Sequence, residues 1–213
     1  IPPHNLGEVI DALIALIKNK NTSEYELSQI ILGPDFPTGG ELINSASLKE
    51  FYETGKGSIT IRGVINTEEI NLGKGKHKRN ALVISELPYQ ISKAGWIEKL
   101  AEIVNNGKIE GISDIRDESD RDGMRIVIEL KKDTNPEIII SNLYKKTSLQ
   151  SNFGAIFLAL VNGKPFQLSL KKYLTNFLEF REETLRKRTN YFLKITINKL
   201  EILEGFSTAT KNI

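Results

Sequence analysis

Cysteine is absent from the 213 residues. That removes disulfides, thiol catalysis and cysteine-ligated zinc together, and it fits a reducing compartment. Histidine is nearly absent: only His4 and His77 occur. Neither has carboxylates at ligand spacing, so neither supports a zinc centre, and two such separated rings supply no triad base. His4, just before a helix-capping Asn5, reads as a structural hydrogen bonder. No Gly-x-Ser-x-Gly elbow is present. Apolar runs of about 18 residues and a charged-then-apolar leader are also missing, so neither a membrane span nor a signal peptide is expected. The single methionine is Met124, which makes Ile1-Pro2-Pro3 an internal start on this reading. Glu201-Ile202-Leu203-Glu204 still reads as helix near the last residue, so both ends are expected to be cut.

What is present describes an ordinary globular chain. Hydrophobic residues make up 39% and charged residues 26%, enough for a sizeable core. The formal net charge of +2 does not by itself point to nucleic acid, so the distribution of charge has to decide.

Asn5 caps a first helix whose Leu6, Val9, Ile10, Leu13, Ile14 and Ile17 form one apolar stripe. Ser23 and Glu26 make a capping box for a second helix, stopped by Gly33-Pro34. Ser47 and Glu50 open a third, closed by Gly55. Ile59, Ile61 and Ile65 then alternate as one strand, and Ala81 to Ser85 is its antiparallel partner across the loop Asn71 to Arg79. Ser92 to Asn106 is an amphipathic helix, and Ile112–Arg116 with Met124–Leu130 a second strand pair. Pro136, after Asn135, starts a further helix, and Ala155–Val161 with Lys164–Leu168 a third hairpin turning at Asn162-Gly163. From Ser169 to Gly205 a single helix, roughly 55 Å at 1.5 Å per residue, leaves the domain as an arm. The fold class is α+β: antiparallel sheet with packed helices, then a long C-terminal helix.

Three motifs invite chemistry, and each has a plainer reading. Glu118 to Glu129 nearly matches a calcium-loop spacing. Its first position is Glu rather than Asp, Arg125 holds an apolar place, and the stretch that follows alternates like a strand. A hairpin turn without metal is expected, with Asp114, Asp117 and Asp120 paired to Arg116, Arg121 or Arg125. Gly55-Lys56-Gly57 and Gly73-Lys74-Gly75 lack Walker spacing and read as a helix end and a hairpin loop. Lys74, Lys76, His77, Lys78 and Arg79 form the densest positive patch, suited to neutralising phosphates or to facing water. On the long helix, Arg181, Arg186, Lys187 and Arg188 interleave with Glu179, Glu182 and Glu183, which favours intrahelical pairing.

Six stretches resemble one family, in order and over nearly the whole chain. They are Ile1 to Leu6, Gly33-Pro-Asp-Phe-Pro-Thr38, Tyr52-Glu-Thr-Gly-Lys-Gly57, Glu86-Leu-Pro-Tyr-Gln90, Glu110 to Glu129 and Asn142-Leu-Tyr-Lys145. The chain resembles the A subunit of bacterial DNA gyrase, a type IIA topoisomerase, with the A subunit of topoisomerase IV as the near relative. Pro34 to Gly40 and Glu179 to Thr184 are most similar to cyanobacterial or plastid gyrase.

The resemblance implies ATP-dependent negative supercoiling by passage of one duplex through a break in another. It implies a tower domain over residues 1–168 and the start of a coiled-coil arm over 169–213. The winged-helix domain would lie upstream, and the C-gate and C-terminal domain downstream. The family nucleophile is a tyrosine between Arg and Thr; Tyr25, Tyr52, Tyr89, Tyr144, Tyr173 and Tyr191 all fail that test. ATP and Mg2+ would be bound by the B subunit, with no cofactor in this piece. Implied partners are double-stranded DNA, the B subunit in an A2B2 assembly and a second copy of the A subunit, with no membrane. The location would be cytoplasmic, or organellar in a plastid-derived protein. Bending a duplex of about 20–30 bp costs about 1–6 kcal/mol, which cationic side chains on flanking shoulders can offset. Charge and position nominate Lys56, Arg62, Lys74, Lys76, Lys78 and Arg79, of which the family motif covers Lys56 and Arg62 alone. The competing expectation is a brace that never touches DNA. An RNA-binding module would need exposed aromatics among basic residues on a strand, and these strands carry almost none.

Overall fold

The computed structural model describes residues 1–43, 45–71, 78–121 and 123–211. Within them the elements run α1 (Leu6–Lys18), α2 (Glu24–Ile30), β1 (Glu41–Ile43), α3 (Ser45–Thr54), β2 (Lys56–Arg62) and β3 (Val64–Asn71). There follow β4 (Lys78–Glu86), α4 (Lys93–Asn105), β5 (Ile112–Asp117), β6 (Ile126–Leu130), α5 (Pro136–Lys146), β7 (Gln150–Ile156), β8 (Leu158–Val161), β9 (Lys164–Gln167) and α6 (Leu170–Lys211). Every strand pairing is antiparallel, in sheets ordered β1-β2-β7, β3-β4-β6-β5 and β8-β9. The α+β expectation holds.

Local chemistry sets the helix starts. The Asn5 side chain accepts from the amides of Gly7 and Glu8 at 2.9 and 3.4 Å. Ser23 and Glu26 satisfy each other's backbone amides as a capping box. Asn135 caps α5 and Pro136 sits in its first turn, where no amide partner is needed.

Each large sheet has its own core. The sheet β1-β2-β7 buries Ile59, Ile61 and Ala155 against Phe51, Leu27, Leu16 and Leu174, from α3, α2, α1 and the start of α6. The sheet β3-β4-β6-β5 buries Leu82, Ile84, Ile126 and Ile128 against Trp96, Leu100 and Leu143 of α4 and α5. Several sequence readings change here. The strand expected through Ile59 and Ile65 is two strands in two sheets, and only β3 pairs with β4. The crossing is at Gly63, whose amide donates to the Leu149 carbonyl at 2.8 Å. A Cβ there would lie 2.6 Å from the Glu86 carbonyl oxygen, so only glycine allows the approach. Likewise the third hairpin does not begin at Ala155. Ala155 and Ile156 pair with β2, buried Phe157 breaks the run, and the hairpin proper is β8-β9. It does turn at Asn162-Gly163, whose φ values of 52° and 77° suit a type I′ turn.

The third change concerns α1. Its buried face carries Ala12 and Leu16, with Val9 and Leu13 beside them, while Leu6, Ile10, Ile14 and Ile17 stay exposed. Helix α6 continues through Gly205 to 42 residues, about 63 Å at 1.5 Å per residue, and buries only Leu170 and Leu174. A glycine costs a helix about 1 kcal/mol but does not stop it. Among the described residues no helix is long and apolar enough to cross a membrane.

Candidate nucleic-acid interface

Pleating gives each large sheet one core face and one open face. On β2 the residues Ile59 and Ile61 point to the core, so Lys56, Ser58, Thr60 and Arg62 share the opposite row. Across from them stand Gln150, Asn152, Gly154 and Ile156 of β7, with Glu41 and Ile43 on β1. The Thr60 hydroxyl donates to Asn152 Oδ1 at 2.9 Å. Arg62 Nε donates to Gln150 Oε1 at 2.6 Å, and its guanidinium lies 4.7 Å from the centre of the Tyr144 ring. The Tyr144 hydroxyl donates to the Gly63 carbonyl at 3.0 Å. Burial, with the negative charge of Glu41 nearby, raises the Tyr144 pKa and keeps that hydroxyl a donor.

The open face of β3-β4-β6-β5 is built otherwise. Ala81, Val83 and Val127 form a narrow buried apolar strip there, with half-buried Ile70 beside it. A network of long charged side chains stands on the same face. Arg125 donates to both carboxylate oxygens of Glu68 at 3.1 and 2.7 Å, and its Nε reaches Glu118 at 3.4 Å. Arg116 approaches Glu118 at 3.3 Å, Asp114 at 3.9 Å and Glu129 at 2.5 Å. The Arg116–Glu129 contact is an ion pair without hydrogen-bond alignment, so buried Glu129 Oε1 has no directed donor. The guanidinium hydrogen bonds pull the Glu68 pKa down, and the bonds from Lys93 and Ser119 take Asp117 to about 2.

The acidic stretch is a hairpin, with β5 and β6 antiparallel on either side. Asp114 meets Arg116 as expected, whereas Asp117 pairs with Lys93 at 2.7 Å rather than with an arginine. The Lys93 contact arrives from α4, which no local spacing reveals. On α6, Arg186–Glu182 and Lys187–Glu183 are the expected intrahelical pairs, at 2.9 and 2.6 Å. His4 is structural: Nδ1 donates to the Pro2 carbonyl at 3.0 Å and Nε2 faces the Tyr52 hydroxyl at 3.1 Å.

The described members of the six nominated cations fall in two sheets. Lys56 and Arg62 share the row on β2. Arg79 lies exposed on β4 opposite Ile70, in the other sheet. Lys78 opens β4 opposite Asn71, and Lys74 and Lys76, with His77, lie outside the described residues. What the sequence did not reveal is the pair that holds Arg62, since Tyr144 and Gln150 stand 82 and 88 positions away.

One large sheet thus carries a network of ion pairs on its open face, and the other carries Lys56 and Arg62 with no carboxylate partner among the described residues. Comparison with known proteins gives the class directly: residues 1–213 match the family described as the A subunit of DNA gyrase/topoisomerase IV. The chain belongs to that family. It is 54% identical over all its length to the DNA gyrase A subunit of Synechocystis, covering 25% of that protein. It is 53% identical to the DNA topoisomerase 4 A subunit of the same organism, covering 23%. To the chloroplastic/mitochondrial DNA gyrase A subunit of Nicotiana benthamiana it is 45% identical, covering 22%. The chain thus spans about a quarter of the length of these relatives.

Proposed function

We propose that the chain is the DNA-supporting shoulder of a gyrase A subunit, where it holds duplex through the sugar-phosphate backbone without reading sequence. On this reading residues 1–168 are the tower and 169–213 begin the coiled-coil arm. The parent is an ATP-dependent type IIA topoisomerase that breaks, passes and rejoins DNA, working as an A2B2 assembly in the cytoplasm or in an organelle. ATP and Mg2+ enter through the B subunit. None of the six tyrosines here stands between Arg and Thr, so cleavage belongs elsewhere in the parent.

The observation that carries the reading is the row Lys56, Ser58, Thr60, Arg62. Two cations and two hydroxyls lie on one rigid strand, and among the described residues neither cation is ion-paired to a carboxylate. Phosphate contacts of that kind give affinity that falls with salt and ignores base identity. The near-equal likeness to a topoisomerase IV relative supports that enzyme as the second reading of the parent.

Filter binding to a linear duplex of about 30 bp tests the shoulder. Salt-sensitive retention is expected, weakened by Lys56→Glu and by Arg62→Glu for all sequences alike. No retention at low salt would leave only a bracing role.

A further inference from the structure

We propose that Arg62, Tyr144 and Gln150 form a preset phosphodiester clamp at the seam between the two large sheets. Arg62 would make the contact, with Tyr144 and Gln150 as positioning residues. The proposal rests on the DNA-backbone reading above and adds where one phosphate is gripped and why that arginine is ready for it.

A cleft of about 650 Å³ opens between α5 and the ends of β2 and β7, and Arg62, Ser141, Tyr144, Lys145 and Gln150 line it. A free arginine side chain surrenders much rotamer freedom when it is fixed on an anion. Here that freedom is already lost, because the guanidinium is stacked on Tyr144 and tethered through Nε to Gln150. Arginine has five N–H donors, and the tether uses one. Among the described residues the two terminal nitrogens have no hydrogen-bond or ion-pair partner.

The partners that hold Arg62 are neutral, so its charge is not cancelled. Arg116 and Arg125 are the contrast, each locked to carboxylates. Two acids face the site: Glu41 stands opposite Arg62 across β1, and Glu137 lines the cleft. Neither comes within ion-pairing distance of it. Ser141 and Lys145 of α5 also line the cleft, and their hydroxyl and amine suit a phosphate better than an apolar ligand. The frame is stiff as well, since Tyr144 is fixed by its hydrogen bond to Gly63 and the other two residues sit at strand ends.

Fluorescence anisotropy of the 213-residue chain on a labelled duplex of about 30 bp, across a salt series, separates contact from positioning. Arg62→Ala should weaken binding about tenfold and reduce the slope of log affinity against log salt by about 0.9. Tyr144→Leu and Gln150→Leu keep the charge, so affinity should fall about threefold while the slope stays. Gln150→Glu should neutralise the guanidinium and reproduce the loss of slope. Tyr144→Phe keeps the stacked ring but loses the bond to Gly63, so affinity should fall less than in Tyr144→Leu while the slope stays. Thermal melts confirm folding, and the Gln150 pair carries the test should Tyr144→Leu fail to fold. If Arg62→Ala left affinity and slope unchanged, or if both leucine variants bound like the parent, the clamp would be overturned while the DNA reading stood. If the unaltered chain failed to bind at low salt, both would fall.

Discussion

Two sheets in one chain expose their open faces in opposite ways. Over β3-β4-β6-β5 two arginines are ion-paired, Arg125 with Glu68 and Glu118 and Arg116 with Glu129 and Glu118, while Arg79 lies exposed on the same face. These ion pairs share their face with a buried strip of alanine and valine. Over β1-β2-β7 the one arginine is held by an amide and a phenol ring, so it is ordered but still fully charged. The lesson is that a count of cations says little about a nucleic-acid face; what matters is the chemistry of the groups that hold each one.

That contrast can be broken by measuring stability and DNA affinity on the same variants. The largest stability loss should come from beneath the second sheet, not from the ions above it. Trp96→Ala should cost about 3–5 kcal/mol in urea unfolding, because the ring is 2% exposed in that core. If removing the ion pairs cost as much, they would be the true support of that sheet. Next comes the seam: Gly63→Ala should cost about 1–3 kcal/mol by overpacking against the Glu86 carbonyl and Leu149. The clamp should loosen with it, seen as lower DNA affinity at an unchanged salt slope.

Arg125→Met should cost about 1 kcal/mol or less, since its side chain is 40% exposed and solvent screens the pair. The loss should shrink in high salt, and DNA affinity should not move. A large drop in affinity would place the duplex on the ion-paired sheet instead. The smallest effect is a pH response. Burial lowers the His4 pKa from 6.5, so the neutral ring favours the folded state. Stability should be full above about 6.5 and decline as pH falls through the lowered value. His4→Gln should flatten that decline in melts taken on the acid side.

Local signals were legible wherever one residue suffices to set the structure. Asn5, Ser23 and Asn135 mark helix starts because a side-chain oxygen must satisfy free amides there, and these three caps stand where the sequence placed them, whereas α3 starts at Ser45 and takes in the Ser47 expected to open it. Asn162-Gly163 marks its turn because few other residues accept positive φ. The break at Gly63 was hidden because the period-two pattern runs on through it, with Ile59, Ile61 and Ile65 all facing a core. The α1 stripe misled because apolar spacing shows a face, not what covers it. At the site, Lys56 and Arg62 were visible as cations, but Gln150 and Tyr144 meet Arg62 only through tertiary contact, and no spacing foretells a neutral partner in place of a carboxylate.

The crossing at Gly63 constrains how this protein can change. Because β2 and β3 share one inside–outside parity through that glycine, inserting or deleting a single residue beside it turns one strand over relative to the other. Either Ile59 and Ile61 would exchange places with Thr60 and Arg62, or Ile65 would move to solvent. Length variation at the junction is therefore costly unless a bulge absorbs it, as the register shift between Val64 and Ile65 already does on the β4 side, and related chains should keep a near-fixed spacing from Lys56 to Ile65.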